Sequence, residues 1–188
     1  AERAASQARE LGLDPVVIET IEVTDEGAGP EASARAARYA AIDRARNELN
    51  AQWVLLGHTL DDQAETVLLG LARGSGGKSL HGMAVVNESL VRPLLGIRRA
   101  ETEQACADQN LQPWHDPMND DERYRRVRIR NTVMPMLERE LGPGIAEALA
   151  RTATTLREDS ETLDALALEW AHEIVGTDAE GRVTVDVG

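Results

Sequence analysis

Ionisable residues are concentrated between Leu56 and Thr66, in the sequence LGHTLDDQAET. On a helix Asp61 and Asp62 each share a face with Glu65, because they lie four and three positions before it. Acids at a helix N-terminus are also favoured by the helix macrodipole without any catalytic role. Two interpretations stay open, a solvated helix start and a site that holds Mg²⁺ with phosphate or a cationic amine. The residues concerned are His58, Asp61, Asp62 and Glu65.

A second group is basic and lies in RYRRVRIRN, from Arg123 to Asn131. Residues 123–130 contain five arginines and no acid. A solvated basic face is one interpretation, and contact with phosphate groups is the other, since guanidinium groups bind phosphate oxygens in pairs. Helical spacing places three of these side chains on one face and two to the side: Arg123, Arg126 and Arg130, then Arg125 and Arg128.

Glycines and one lysine form a third motif, GSGGKS, at residues 74–79. It resembles the end of a phosphate-binding P-loop, but the leading glycine of that motif would fall at Ala72. The segment also follows a predicted helix, whereas a P-loop follows a strand. We therefore expect a mobile loop that closes over a site.

Alternating strands and helices must position these groups. The hydrophobic pattern predicts strands at Pro15–Val23 and Trp53–Gly57, the second buried on both faces, and helices at Glu31–Leu49 and Asp61–Arg73. This order predicts an α/β fold with a parallel sheet and flanking helices. His58 and the acids follow the carboxyl end of a strand, where ligands of such sheets bind.

The second half of the chain is predicted to be mainly helical. We expect a short edge strand or an extended segment at Leu90–Leu95, and a helix at Ala100–Asn110. A helix over Tyr124–Leu141 should be kinked or divided at Pro135, and one long helix should follow. The remaining predictions are a loop at Asp25–Pro30, the long helix at Ile145–Ile174, and a strand at Val183–Val187 without a nearby partner. We place an α/β domain at residues 1–141, and a linker helix with the start of a further domain at residues 142–188.

Composition limits the classes of protein. The net charge of −13 argues against a nucleic-acid partner, although the last stretch, residues 140–188, supplies much of it with 3 basic and 11 acidic residues. Cys106 is the single cysteine, so neither an internal disulfide nor a cysteine metal cluster is expected. No apolar run approaches the length of a membrane span, and no signal peptide is visible. These features predict a cytoplasmic protein without a membrane partner.

Four stretches in their order and spacing resemble the tRNA(Ile)-lysidine synthetases, which belong to the N-type ATP-pyrophosphatase, or PP-loop, family. Together they cover most of residues 31–150. They are ARAARY (34–39), LGHTLDDQAETVLLGLARGSGG (56–77), RPLLGIRRAE (92–101) and DPMNDDERYRRVRIRNTVMPML (116–137).

The resemblance implies an adenine-nucleotide α-hydrolase-like, Rossmann-like fold followed by a helical segment and smaller tRNA-binding domains. It implies a ligase that uses ATP to adenylate the wobble cytidine of an isoleucine tRNA with a CAU anticodon and releases pyrophosphate. The ε-amine of L-lysine then displaces AMP and forms lysidine. The cofactors implied are ATP and Mg²⁺, the partners are isoleucine tRNA and L-lysine, and a homodimer is suggested by related enzymes.

Residue roles follow from the same resemblance. His58, Asp62 and Arg130 belong to the reaction centre. The lysine ammonium is selected by Glu65 and Asp62, and Mg²⁺ with pyrophosphate is held by Asp61 and Asp62. Phosphate groups of ATP, or the adenylated base, are bound by the arginines Arg38, Arg126, Arg128 and Arg130.

Two departures from the family pattern stand out. The SGGxDS loop is absent from the sequence and is expected before Ala1, which suggests a fragment that also lacks most of the C-terminal domains. Val127 replaces an asparagine that is usual in the family. The alternatives are another tRNA-modifying ATP-pyrophosphatase such as a thiolase, an inactive nucleotide- or RNA-binding fragment, and a metal-dependent hydrolase built on residues 58–65.

Overall fold

The computed structural model describes residues 1–23, 29–74, 76–177 and 182–185. Short 3₁₀ helices lie at Gly77–Leu80 and Pro117–Asp120, and a π-helical turn lies at Ile129–Val133. The α-helices and strands of these ranges are, in chain order, α1 (Glu2–Glu10), α2 (Pro30–Glu48), β1 (Val54–Leu55), α3 (Leu60–Arg73), β2 (Val86–Asn87), β3 (Leu90–Val91), α4 (Arg99–Asp108), α5 (Arg125–Arg128), α6 (Met134–Leu141), α7 (Ile145–Ile174), β4 (Val175–Thr177) and β5 (Val183–Val185).

The chain divides into two compact units, and the first comprises Ala1–Leu60 with Ala84–Arg123. Its sheet has the strand order β1-β3-β2. Val54 and Leu55 pair in parallel with Leu90 and Val91, whereas β2 pairs antiparallel with β3. Two parallel strands separated in sequence by a helix are the arrangement that the α/β prediction requires.

The strand predicted over Pro15–Val23 is wrong. The structure assigns no strand to these residues, and the side chains of Val17 and Ile18 are exposed. A strand is stable only when neighbouring strands supply hydrogen bonds and a packing surface. Among the described residues no strand pairs with this segment, so the neighbouring strand that its alternating pattern requires is not supplied.

Three further strand predictions need correction. β1 is not buried on both faces, since the Leu55 side chain is 69% exposed. β3 is the middle strand of its sheet and not an edge, because β2 forms a hairpin with it. The last strand does have a partner, since Val175 pairs with Val185 across β4 and β5. The loop predicted at residues 25–30 lies mostly outside the described residues.

The second unit comprises Asp61–Met83 and Tyr124–Gly188 and is mainly helical. The predicted break at Pro135 appears as the π-helical turn that ends at Val133, directly before α6. A proline lacks the N–H for an intrahelical bond, and a π turn is one way to accommodate that loss. Among the described residues of this unit, the buried apolar side chains are Ala64, Val67, Val127, Ile129, Ala146 and Ala153.

A carboxylate from α6 caps the long helix α7. Glu138 accepts hydrogen bonds from the backbone N–H groups of Gly144 at 2.7 Å and Ala146 at 3.2 Å. N–H groups at a helix start have no acceptor within the helix, and the negative charge also suits the helix dipole. The bounds predicted for α7 from the sequence are confirmed, and so is the break that the preceding glycines and proline make in the helical chain. Within the described residues, no helix is both long enough and apolar enough to cross a membrane.

Candidate active site

The acidic residues of α3 lie in its first two turns. Asp61 and Asp62 occupy the first turn, where negative charge is favoured by the helix dipole. Glu65 follows one turn later and shares the face of Asp62. The side chain of Glu65 is 1% exposed, and that of Asp62 is 16% exposed. A carboxylate as deeply buried as Glu65 needs a cationic partner, because an isolated buried charge is very costly.

Arg130 is that partner and comes from the π-helical turn. Its Nε donates to Oε1 of Glu65 at 2.8 Å, and its Nη2 donates to Oε2 at 3.1 Å. The same Nη2 lies 3.4 Å from Oδ1 of Asp62. This two-point contact fixes the guanidinium plane of Arg130 against Glu65. Asp62 lies at the edge of the same guanidinium group.

The local charge keeps Arg130 protonated. Burial alone would lower the pKa of Arg130, but the hydrogen bonds and charge of Glu65, together with the charges of Asp62 and Asp61, raise it above its ordinary value. The group is therefore a permanent cation, and its positive charge is offset by three acids.

A second arginine organises the same face of α3. Arg126 Nη2 donates to the hydroxyl of Thr66 at 3.0 Å, and the Thr66 hydroxyl donates to the backbone carbonyl of Asp62 at 2.7 Å. Arg126 Nε also lies 3.7 Å from Oε2 of Glu65. Both arginines are thus tied to the helix that carries the acids.

The net charge of this cluster, counted over its five charged side chains, is negative. Asp61, Asp62 and Glu65 contribute three negative charges, and Arg126 with Arg130 contribute two positive ones. In this count the acids outnumber the arginines by one, and Asp62 is more accessible than Glu65. An accessible carboxylate in such a cluster suits a cationic ligand better than an anionic one.

The structure places the other predicted residues elsewhere in the chain. His58 follows β1 in the first unit and is partly buried. Arg38 is exposed on α2 in the same unit, and Arg128 is exposed on α5 in the second unit. Of the predicted site residues, the cluster therefore brings together Asp61, Asp62, Glu65, Arg126 and Arg130, and the roles of the others stay predictions.

Metal binding was predicted at Asp61 and Asp62. In the part of the chain that the structure describes, no group of three or more His, Cys, Asp or Glu side chains is arranged to hold a metal ion. Mg²⁺ is usually bound by one or two carboxylates together with substrate phosphates and water. The donor set therefore fits a Mg²⁺ ion that arrives with a nucleotide better than a resident metal.

Sequence reasoning missed two polar residues next to the cluster. Gln63 is buried, although it directly follows Asp62, and the Thr66 hydroxyl joins Arg126 to the backbone of α3. Each of them directly precedes a buried apolar residue of the helix, which is a weak signal that a buried polar contact is needed. Val127, which departs from the family pattern, is buried in the core and packs as an apolar residue.

Comparison with known proteins defines the class. The family model described as "PP-loop domain" matches residues 2–137. The chain therefore belongs to the PP-loop domain family. A solved structure supports the fold: the U34-tRNA thiolase NcsA from Methanococcus maripaludis, described with its 4Fe-4S cluster, has a TM-score of 0.66 at 19% identity. The match covers 84% of this chain and 55% of that one, and it confirms the α/β fold class.

More similar relatives carry a specific name. The tRNA(Ile)-lysidine synthase of Leifsonia xyli subsp. xyli is 59% identical over 98% of this chain and 55% of its own length. The tRNA(Ile)-lysidine synthase of Rhodococcus erythropolis is 56% identical over 99% of this chain and 55% of its own length. The resemblance found in the sequence is thereby confirmed, and the chain spans about half the length of these curated relatives.

Proposed function

We propose that the protein containing this chain ligates L-lysine to C2 of the wobble cytidine in an isoleucine tRNA with a CAU anticodon. ATP first adenylates the cytidine and releases pyrophosphate, and the lysine ε-amine then displaces AMP. The observation that carries this proposal is the Asp62–Glu65–Arg130 cluster, in which two acids lie around one arginine and Asp62 is partly accessible to an ammonium group. The names of the relatives at 50–59% identity support the same reaction.

In this proposal the two acids act differently on lysine. Asp62 is the more accessible acid and contacts the ammonium group directly. Glu65 contributes its charge to the same site, but both of its oxygens also bind Arg130. Nucleophilic attack needs a neutral amine, so a carboxylate near the ammonium can also accept its proton.

The remaining assignments concern ATP. We assign Mg²⁺ with the leaving pyrophosphate to Asp61 and Asp62, and His58 to the reaction centre. Arg38, Arg126 and Arg128 remain candidates for contacts with phosphate groups, as does Arg130 for the adenylated base. For the whole protein we propose residues 1–141 as the ATP-pyrophosphatase α/β domain, and residues 142–188 as a linker helix with the start of a C-terminal domain. We also propose a homodimer and a cytoplasmic location.

The alternatives make different predictions. A thiolase that uses an iron–sulfur cluster needs several cysteines, whereas Cys106 is the single cysteine of this chain. A metal-dependent hydrolase needs a divalent ion bound tightly without ATP, and an inactive fragment would bind nucleotide or RNA without turnover. The lysidine reaction instead requires lysine, ATP and one particular tRNA together.

The decisive experiment measures pyrophosphate release and incorporation of labelled lysine by the full-length protein. ATP, Mg²⁺, lysine and the isoleucine tRNA are each omitted in turn. We expect pyrophosphate release to depend on this tRNA, and lysine to enter only this tRNA. Turnover without lysine incorporation would reject the proposed reaction.

A substitution tests the role of Asp62. We expect Asp62→Asn to raise the KM for lysine about 100-fold, because a partly buried charge contact of this kind is worth about 2–3 kcal/mol. The control is Asp159→Asn, an exposed acid of α7, which should leave the KM unchanged. An unchanged KM in Asp62→Asn would remove Asp62 from the lysine site.

A further inference from the structure

Gln63 is a buried amide that lies in sequence between the acids of the cluster. Its side chain is on a different face of α3 from Asp62 and Glu65, and the residue is 4% exposed. Its Nε2 donates to the backbone carbonyl of Met83 at 2.9 Å, and its Oε1 accepts from the backbone N–H of Met83 at 2.6 Å. A glutamine can serve both groups because its amide is both donor and acceptor.

Glycines allow the segment that includes Met83 to lie directly against α3. We call residues 76–83 the strap. A side chain at Gly70 would collide with the backbone carbonyl of Ser79. A side chain at Gly82, whose φ is +57°, would collide with the amide of Gln63. Gln63 and Gly70 are two helical turns apart and share a face, so the strap covers that face of α3.

The strap is also attached to α7. Arg157 donates through Nη2 to the backbone carbonyl of His81. Lys78 pairs with Asp164 at 3.1 Å, but both side chains are exposed, so this pair contributes little. The helix that carries the acids therefore lies between the arginines on one face and the strap on another.

We propose that Gln63 is a positioning residue for the Asp62–Glu65–Arg130 cluster. The hydrogen bonds of its amide go to Met83, and it acts on the cluster by fixing α3 against the strap. The proposal rests on the proposed function, because the cluster is taken as the lysine site. The buried Glu65–Arg130 contact depends on an accurate placement of α3, since charge-assisted hydrogen bonds lose strength quickly with distance and angle.

The test substitutes Gln63 in the full-length protein. Gln63→Met keeps the side-chain length but leaves the N–H and carbonyl of Met83 without their partner. We expect the KM for lysine to rise about tenfold while the KM for ATP stays within a factor of about two, a loss that corresponds to about 1.4 kcal/mol. Gln104→Met, the same change at an exposed position of α4, is the matched control.

A spectroscopic measurement separates positioning from a general loss of stability. Slow solvent exchange of the Arg130 side-chain Nε–H, followed by NMR, reports the bond to Glu65 without any substrate. Faster exchange in Gln63→Met, but not in Gln104→Met, supports the proposal. Unchanged exchange overturns it, whatever the kinetics show.

A second variant covers the case in which Gln63→Met does not fold. Arg157→Met removes the attachment of the strap to α7 and leaves Gln63 intact, so the same two effects should appear in weaker form. If the exchange rates change but the wild-type protein incorporates no lysine, Gln63 keeps its positioning role and the proposed function fails. A lower melting temperature with an unchanged KM and unchanged exchange would show a merely structural role.

Discussion

Glu65 depends strongly on its contact with Arg130. Its side chain is 1% exposed and both of its oxygens are hydrogen-bonded to the same guanidinium. Removing this cation would break a buried two-point contact and leave the carboxylate near Arg126, whose Nε lies at the longer distance of 3.7 Å. Breaking a buried pair in this way costs more than losing a surface ion pair.

We expect Arg130→Met to lower the free energy of unfolding by about 3 kcal/mol at about pH 8. The reason is that the buried carboxylate of Glu65 loses its two-point contact with the guanidinium. In the wild type Arg130 itself stays a cation, since its pKa is raised above its ordinary value.

Urea denaturation of the wild type and the variant measures this loss. Arg125→Met is the control, because Arg125 is exposed on the neighbouring helix α5 and its loss should cost less than about 0.5 kcal/mol. A loss in Arg130→Met no larger than that in Arg125→Met would show that the folded state does not depend on the Glu65–Arg130 contact.

The helical face on which a site residue lies was easier to predict from the sequence than the residue it contacts. The spacing of Asp62 and Glu65 was enough to place them on one face of a helix. The contact of Glu65 with Arg130 joins residues 65 positions apart, and no periodicity encodes such a pairing. Only the resemblance to a family placed both residues in one site, and it did not indicate Gln63 or Thr66.

Among the elements, α3 carries an unusual glycine. Gly70 lies inside the helix, where alanine would normally be more stable by about 1 kcal/mol. Here we expect the opposite sign, because a Cβ atom would collide with the backbone carbonyl of Ser79 in the strap. Gly70→Ala should destabilise the protein by about 1–3 kcal/mol, the usual range for overpacking.

Thermal or urea denaturation checks this prediction. Gly96→Ala is the control, since a Cβ atom there would meet nothing within 4 Å and should be neutral or slightly stabilising. A stabilised Gly70→Ala variant would show that the strap does not pack against α3.

Helices were predicted better than strands for a physical reason. The bounds of α3 and α7 follow from local signals, namely the apolar period and the glycines and proline that flank them. A strand depends on distant neighbours, and the alternating pattern at Pro15–Val23 gave no information on whether any were present. The same dependence explains why β3 was placed at an edge although it lies in the middle of its sheet.

At the scale of the whole molecule, the charge distribution has to accommodate two ligands of opposite charge. The proposed substrates are a cationic amino acid and a polyanionic RNA, whereas the chain carries a net charge of −13. Within this chain the average field repels phosphate groups, so local arginines are the groups that favour contact with RNA. Within residues 123–130, Arg125 is exposed, whereas Arg123 donates hydrogen bonds to Asp121 through two side-chain nitrogens. Hydrogen bonds from Arg123 lower the pKa of Asp121 below its ordinary value, so this pair stays ionised and neutral overall.

We therefore expect these two arginines to contribute unequally to tRNA binding. A substitution that removes one phosphate contact reduces the slope of log K against log salt by about 0.9 for a duplex and about 0.7 for a single strand. Arg125→Gln should lower the slope by roughly this amount. Arg123→Gln, the same change two positions earlier, should alter it much less, because Asp121 already compensates that charge. Binding of the full-length protein to the isoleucine tRNA, measured between about 50 and 200 mM salt, provides the slopes. Equal slopes for wild type and Arg125→Gln would assign the RNA contacts to other parts of the protein.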